Sequence, residues 1–310
     1  MDIDFKSNKN ITCIDRFGIH TYNRVFFLVR KFISVKNIFV NIFDALFFWV
    51  GLKNSILIRL SNRSTKRFFS KNEFYDWYIA EGAKTVLLLR HDVHIDKGMV
   101  KFRWNNKTIK FIYNTAHELN DIIRMIKENF FDEEYMAVDV NGKDVIDIGA
   151  NIGDTAIYFA LKGARHVYAF EPDIRLFNAA LKNIKINGLK SKVTILNKAC
   201  GKSTTIMINN RKIESINLNS IINNFLEPNR NAVLKCDCEG CEYSVILNAN
   251  RKTLRRFDQI MIEAHYGYIN LKEKLEYAGF KTKHTAPMPS FLHGGGKEAV
   301  YFNLIWAQKV

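Results

Sequence analysis

Two kinds of hydrophobic pattern divide this chain of 310 residues. From Lys143 onward, short apolar runs typical of buried strands alternate with segments of helical periodicity. The predicted strands are Asp144–Ile148, His166–Phe170, Lys192–Leu196, Ala232–Cys236, Gln259–Glu263, Phe280–His284 and Ala299–Ala307. The predicted helices are Asp154–Leu161, Asp173–Asn187, Gly240–Asn248 and Leu271–Ala278. Such alternation indicates an α/β fold, in which helices cover both faces of a mostly parallel sheet.

The part before residue 136 follows a mixed pattern and is predicted to be a separate N-terminal extension. Asn105-Asn106 lies between two alternating apolar–polar arms and predicts a hairpin, and Thr115 followed by Glu118 predicts a helix start. A second hairpin is predicted at Asn141-Gly142, between residues 138–140 and 145–148. The expected domains are therefore 1–135 and 136–310.

A long apolar segment near the N-terminus predicts an amphipathic helix from about Tyr22 to Val50. Asn37, Asn41 and Asp44 would be costly at the centre of a bilayer, so a spanning helix is not expected. Two interpretations remain, a helix packed against protein and a helix lying in the plane of a membrane surface. We favour the first and keep peripheral membrane contact as the second.

Positive charge is concentrated near the N-terminus, in the same part of the chain as this apolar segment. The net charge is +15, and the first 71 residues carry 13 Lys or Arg against 4 Asp or Glu. A basic region of this kind suits an anionic lipid surface or a nucleic acid, although a solvated basic face is the simpler interpretation.

Cysteine usage predicts a reducing compartment. The five cysteines are Cys13, Cys200, Cys236, Cys238 and Cys241. An odd number with three members crowded together does not resemble a disulfide framework, and no secretory signal is evident. We therefore expect a cytoplasmic protein, with membrane association through the N-terminal helix as an alternative. Cys236 and Cys238 occupy core-facing positions, so packing is favoured over a zinc or iron–sulfur site and no metal is predicted.

The strongest chemical motif follows the strand at Asp144–Ile148. Gly149 and Gly153 flank Asn151 in a G-x-N-x-G turn that leads directly into a helix. Glycines there allow a sharp turn and a close approach of the backbone to a ligand. The spacing departs from the G-x-G-x-x-G of dinucleotide sites, and Asp147 would be an unsuitable neighbour for a pyrophosphate. The pattern favours a nucleoside ligand with a cationic end. We expect Asp147 to contact the charged amino group of this ligand, and Gly149, Asn151 and Gly153 to hold it.

Further polar residues end the following strands. Glu171 ends the second strand, where a carboxylate can accept both hydroxyls of a ribose. Asn197 and Ala199 follow the third strand and are expected to border the base of the same ligand. Asp237 and Glu239 follow the fourth strand, and Glu263 and His265 follow the fifth. These last four are the candidate catalytic residues, with His265 or Asp237 as the proton acceptor. Glu242 is expected mainly to stabilise a helix N-terminus.

Together these motifs resemble the FkbM-type methyltransferases. The resemblance rests on Asp-Ile-Gly-Ala-Asn-Ile-Gly from Asp147, Phe-Glu-Pro from Phe170, Asp-Cys-Glu-Gly-Cys-Glu from Asp237 and Ile-Glu-Ala-His from Ile262. It implies a class I, Rossmann-like domain that uses S-adenosylmethionine (AdoMet). It also implies O-methylation of a hydroxyl on a sugar, a lipid-linked glycan or a small natural product. The three cysteines of the third motif depart from the family pattern.

These expectations lead to one main functional hypothesis and one alternative. The main hypothesis is an AdoMet-dependent methyltransferase with a small-molecule or glycan acceptor, for which nucleic acid is not an expected partner. The alternative is a non-catalytic binding module with the same fold, recruited to a membrane or a nucleic acid by its basic N-terminal part. Detection of methyl turnover distinguishes the two.

Overall fold

The structure is a computed structural model that describes most of the chain. The described residues are 41–59, 65–71, 73–74, 77, 84, 92–202, 204–286, 288–290 and 300–310. They divide between two compact units, with the boundary between Glu134 and Tyr135. The functional assignment of 1–135 and 136–310 as two domains stays a prediction. Most of the predicted helix over residues 22–50 lies outside the described residues.

The N-terminal unit combines short helices with two small antiparallel sheets. Its described elements are α1 (Ile42–Val50), β1 (Ile56–Arg59), β2 (Thr65–Phe68), β3 (Val93–Asp96), β4 (Met99–Trp104), β5 (Lys107–Ile112) and α2 (Ala116–Ile126). Strands β1 and β2 pair with each other, and β3, β4 and β5 form a three-stranded meander. Within the part of the chain that the structure describes, no helix has the length and apolar character needed to cross a membrane.

Local turn and capping signals in this unit are confirmed. Asn105 and Asn106 both have positive φ and connect β4 to β5, the conformation that a two-residue hairpin turn requires. Thr115 caps α2, because its hydroxyl accepts the backbone N–H of Glu118 at 3.1 Å. The buried rings of Phe102, Phe111 and Phe130 pack together and form an apolar centre beneath the meander.

The C-terminal unit is built on one large sheet. Its strands are β6 (Asp144–Ile148), β7 (His166–Phe170), β8 (Val193–Leu196), β12 (Ala232–Cys236), β13 (Gln259–Ala264), β14 (Phe280–His284), β15 (Met288–Ser290) and β16 (Val300–Lys309). Strands β14, β16, β13, β12, β6, β7 and β8 lie in that order, and β15 pairs with β16. Strands β13, β12, β6, β7 and β8 are parallel, whereas β16 is antiparallel to both of its neighbours. The predicted α/β fold is confirmed.

Helices connect the parallel strands. They are α3 (Asp154–Leu161), α4 (Ile174–Ile186), α5 (Leu218–Phe225), α6 (Glu242–Leu247), α7 (Arg251–Leu254) and α8 (Ile269–Tyr277). The chain moves outward from β6 to β7 and β8, then returns to β12 and continues in the opposite direction. Since such crossovers are right-handed, the two directions place helices on opposite faces of the sheet. The reversal opens a crevice at the carboxyl ends of β6 and β12, where ligands bind in folds of this kind.

The predicted hairpin at Asn141-Gly142 is wrong. Residues 138–140 form no strand, and β6 pairs in parallel with β12 on one side and with β7 on the other. A strand with both edges occupied cannot accept an antiparallel arm. A small sheet of β9 (Ala199–Cys200), β10 (Thr204–Ile208) and β11 (Arg211–Ile216) was not anticipated, and α5 was also missed.

Candidate active site

The loops that follow β6 and β12 meet at the crevice. The backbone N–H of Asp237 donates to the Ile148 carbonyl at 3.1 Å. Gly149 has φ +81°, and a Cβ atom there would lie 1.7 Å from the Asp237 carbonyl oxygen. Only glycine permits this close approach of two backbones. Steric contact therefore explains why the first position of the sequence motif is a glycine.

A carboxylate joins the first two sequence motifs in space. Asn151 has φ +48°, a left-handed conformation that asparagine tolerates, and its N–H donates to Glu171 Oε2 at 2.9 Å. The Asp173 N–H donates to the other oxygen, Oε1, at 2.8 Å. Glu171 therefore ties the loop after β6 to the loop after β7, as neighbouring parallel strands allow.

Glu171 is buried, and its burial changes the pKa of its carboxyl group. Burial raises the pKa of its carboxyl to about 7, against the opposing effect of the two backbone N–H donors. Asn197 supports the same turn by donating to the carbonyls of Glu171 and Pro172, each at 2.9 Å. Ala199 is buried in β9, directly after this contact.

Asp147 has two protein partners. Its side chain is 0% exposed, Oδ2 accepts the Thr155 hydroxyl at 2.7 Å, and Oδ1 lies 3.2 Å from Lys235 Nζ. The carboxylate lies behind the glycine loop and holds the first turn of α3. Through these contacts with Thr155 and Lys235, Asp147 positions the glycine loop.

Lys235 is the central cation of the site, and the sequence analysis did not single it out. It is 1% exposed near the carboxyl end of β12, and its Nζ donates to the Gly149 carbonyl at 2.7 Å. The same ammonium lies 3.2 Å from Asp147 and 3.7 Å from Asp237. Burial acts to lower the Lys235 pKa, but the charges of Asp147, Asp237 and Asp154 outweigh it, and the pKa is raised. The sequence signal that could have identified Lys235 is a charged residue within the otherwise apolar run Ala232–Cys236.

Glu242 anchors the part of the crevice formed by the loop after β12 and the segment after β13. It is 0% exposed at the start of α6, and its Oε1 accepts the Cys238 N–H at 2.8 Å and lies 3.1 Å from His265 Nδ1. Stabilising a helix N-terminus is therefore not its whole role. It fixes both the loop after β12 and the orientation of the histidine.

His265 brings the predicted catalytic residues together. Its Nε2 lies 3.2 Å from Glu239, 3.8 Å from Glu263 and 3.9 Å from Asp237. Burial acts to lower the His265 pKa, but the hydrogen bond to Glu242 and the surrounding carboxylates outweigh it and raise the pKa to about 9. The imidazole of this arrangement is protonated at neutral pH. Burial also raises the pKa of the Asp237 carboxyl.

The cysteines depart from the expectation that they form no disulfide. Cys238 and Cys241 are joined by a disulfide, their Cα atoms 5.5 Å apart. The C-x-x-C spacing at the start of α6 brings the two residues within bonding reach. Cys236 is a free thiol buried in the core, as predicted, with its Sγ 4.0 Å from Cys238 Sγ. With this pair bonded, the cysteines no longer indicate a reducing compartment.

The strand order, the glycine loop and the acidic residue at the end of β7 define a Rossmann-like, class I methyltransferase domain. Residues 147–282 match the family described as the methyltransferase FkbM domain. The resemblance carried by the four sequence motifs is confirmed.

The chain is similar to one curated protein and to two solved structures. A ribosomal protein L11 methyltransferase from Carboxydothermus hydrogenoformans is 42% identical over 55 residues, which span 18% of each chain. M. capricolum TrmK, solved with S-adenosyl-homocysteine, is 17% identical, with a TM-score of 0.37 and 58% of this chain and 68% of that chain covered. An rRNA methylase from Streptococcus thermophilus is 16% identical, with a TM-score of 0.37 and 58% and 96% covered.

One expectation about partners is contradicted. Several similar structures are described as RNA or rRNA methyltransferases, against the prediction that nucleic acid is not a partner and that the acceptor is a glycan or small molecule. The physical reason is that the motifs lie at the strand ends that form the cofactor crevice. Such motifs and the fold that carries them do not by themselves specify the acceptor.

Replacement of Lys235 by Met should reduce the free energy of unfolding by about 3–5 kcal/mol, because it leaves buried carboxylates without their cation. Urea unfolding measures the loss. Lys198→Met is the matched control, since Lys198 pairs with the exposed Glu214 at 2.7 Å and should change stability by less than about 1 kcal/mol. Equal effects of the two substitutions would contradict the central role of Lys235.

Replacement of Gly149 by Ala should disrupt the contact between the two loops, since the new Cβ would overlap the Asp237 carbonyl. Gly142→Ala provides the control, because Gly142 also has positive φ but has nothing within 4 Å of the added atom. Backbone strain alone predicts a loss of about 1–2 kcal/mol at Gly142. Unfolding measurements should show a clearly larger loss at Gly149, and similar losses would exclude the steric explanation.

Proposed function

We propose that this chain is an AdoMet-dependent methyltransferase that transfers the methyl group to a hydroxyl oxygen. The observation that carries the proposal is the hydrogen bond from Asn151 N–H to Glu171 Oε2. It brings the glycine loop and the ribose-type carboxylate to one crevice of an FkbM-type domain. A ligand that needs both motifs can therefore contact both at once.

The glycine loop supports the amino acid end of AdoMet in this proposal. Gly149, Asn151 and Gly153 all have positive φ, so backbone groups of the loop, without bulky side chains, line the approach. Asp147 acts from behind, through Thr155 and Lys235, and keeps the loop in place. We therefore assign Asp147 a positioning role in cofactor binding.

The nucleoside end lies against β7 and the turn after β8. Glu171 accepts the two ribose hydroxyls, as a carboxylate at this strand end can. Asn197 holds the Glu171–Pro172 turn, and with Ala199 it borders the adenine. The whole cofactor then lies along the carboxyl ends of neighbouring strands.

The acceptor lies beside His265. Methyl transfer is an in-line displacement, so the protein must hold the acceptor oxygen behind the methyl group and exclude water. A hydroxyl acceptor must also lose its proton, which the carboxylates around His265 can take. Asp237, Glu239, Glu263 and His265 form this acceptor side.

Glu171→Gln should weaken AdoMet binding about 10–100-fold, the loss that accompanies removal of charged hydrogen bonds. With a Glu171 pKa of about 7, the carboxylate form increases from pH 6 to pH 8. Wild-type affinity should therefore rise over this range by up to about tenfold more than the affinity of the variant. Calorimetric titration of both proteins at several pH values measures the difference, and parallel pH profiles would contradict the assignment.

Incubation of the purified chain with radiolabelled AdoMet and cell extract should transfer label to an acceptor. Parallel digestion with nuclease, protease or glycosidase, and extraction into organic solvent, identifies the acceptor class, RNA included. Glu171→Gln should transfer much less label because it binds the methyl donor poorly. Binding of AdoMet without transfer to any fraction would support the non-catalytic binding module instead.

A further inference from the structure

Three residues around the acceptor crevice have the types and spacing of metal ligands. Asp237, Glu242 and His265 each place one ligand atom within 4.8 Å of the others. They come from the loop after β12, from α6 and from the segment after β13. Convergence of a histidine and two carboxylates from separate elements is the usual construction of a metal site.

One of these side chains has a buried oxygen that the described residues do not satisfy, and a second has only distant cations beside it. Glu242 is 0% exposed, and among the described residues its Oε2 has no hydrogen-bond partner. The nearest cations to the Asp237 carboxylate are Lys235 at 3.7 Å and His265 at 3.9 Å, both beyond normal hydrogen-bond length. A buried carboxylate oxygen without a partner is costly, and a bound cation removes that cost.

The charge of the surroundings favours a divalent cation. Glu239 and Glu263 also face His265 Nε2, at 3.2 and 3.8 Å. Four carboxylates therefore surround one imidazole, with Lys235 as the neighbouring cation. Several negative charges in a partly buried space repel one another unless positive charge is added.

We propose that a divalent cation binds to Asp237, Glu242 and His265, with Glu239 and Glu263 at the edge of the site. A mixed set of imidazole nitrogen and carboxylate oxygens suits an ion of the Mn²⁺ type. The ion takes the place of the proton on His265, because only the neutral imidazole can bind a metal. Asp237 and Glu239 are partly exposed and give the ion a route from solvent. This proposal revises the expectation that the chain binds no metal.

The chemical use of the ion rests on the proposed methyltransferase function. A cation beside the acceptor polarises its O–H bond and lowers the pKa of the hydroxyl. The proton passes to the carboxylate of Glu239, the most exposed of the cluster. The alkoxide oxygen forms a bond to the methyl carbon as the carbon–sulfur bond of AdoMet breaks, and neutral S-adenosyl-homocysteine leaves.

The test is a titration of the full chain with Mn²⁺, followed by electron paramagnetic resonance without AdoMet. We expect saturable binding of one ion per chain. Asp237→Asn should weaken it at least about tenfold, whereas Glu214→Gln, at an exposed carboxylate, should leave it unchanged. Absence of saturable binding by the wild-type protein, or equal binding by Asp237→Asn, would overturn the proposal.

If Asp237→Asn does not fold, a second measurement on the wild-type chain tests the same metal site. Electron spin-echo modulation of Mn²⁺ bound to the wild-type chain should show coupling to an imidazole nitrogen, and bound ion without such coupling would refute the site. Calorimetry of AdoMet in EDTA tests the cofactor site separately. Retained AdoMet binding with no Mn²⁺ binding overturns only the metal proposal, and the reverse result overturns only the proposed function.

Discussion

The buried ion cluster around Lys235 is the interaction on which both halves of the site depend. One ammonium contacts the Gly149 carbonyl, Asp147 and Asp237, and so joins the loop after β6 to the loop after β12. A buried cation is costly unless it is paired and hydrogen-bonded, and here the strand ends supply both carboxylates and carbonyls. The same contacts hold the glycine loop from behind and fix the position of Asp237, the first acid after β12.

The two sides of the crevice are organised by different means. Beside β6 and β7, backbone groups determine the shape, because Gly149 and Asn151 adopt left-handed conformations and Glu171 accepts N–H groups from two loops. Beside β12 and β13, side chains determine it, since buried Glu242 holds His265 among further carboxylates. In the proposed function, the first side binds the cofactor and the second binds an acceptor that the fold does not specify.

Much of the fold could be predicted because it depends on local pattern. Apolar runs between turn signals gave the bounds of β6, β7 and β12, and the motifs placed Gly149 and Glu171 at strand ends. The Asn141-Gly142 hairpin failed because a local turn signal was overridden by parallel pairing on both edges of β6. The sequence pattern did not identify Lys235 and Glu242 as anchors of the site, because each acts through contacts with residues that follow separate strands. Sequence spacing identified Cys238 and Cys241 as neighbours but did not reveal that they bond.

The most direct test of this account is the charge state of Lys235 itself. Heteronuclear NMR of a chain labelled at the lysine Nζ and Cε positions can follow the Lys235 ammonium, assigned by its loss in a Lys235 variant. Because neighbouring carboxylates raise its pKa, the signal should remain that of a protonated amine beyond the ordinary lysine value of about 10.4, for as long as the chain stays folded. Deprotonation below that value would show that the carboxylates do not stabilise the cation, and would contradict the central role given to it here.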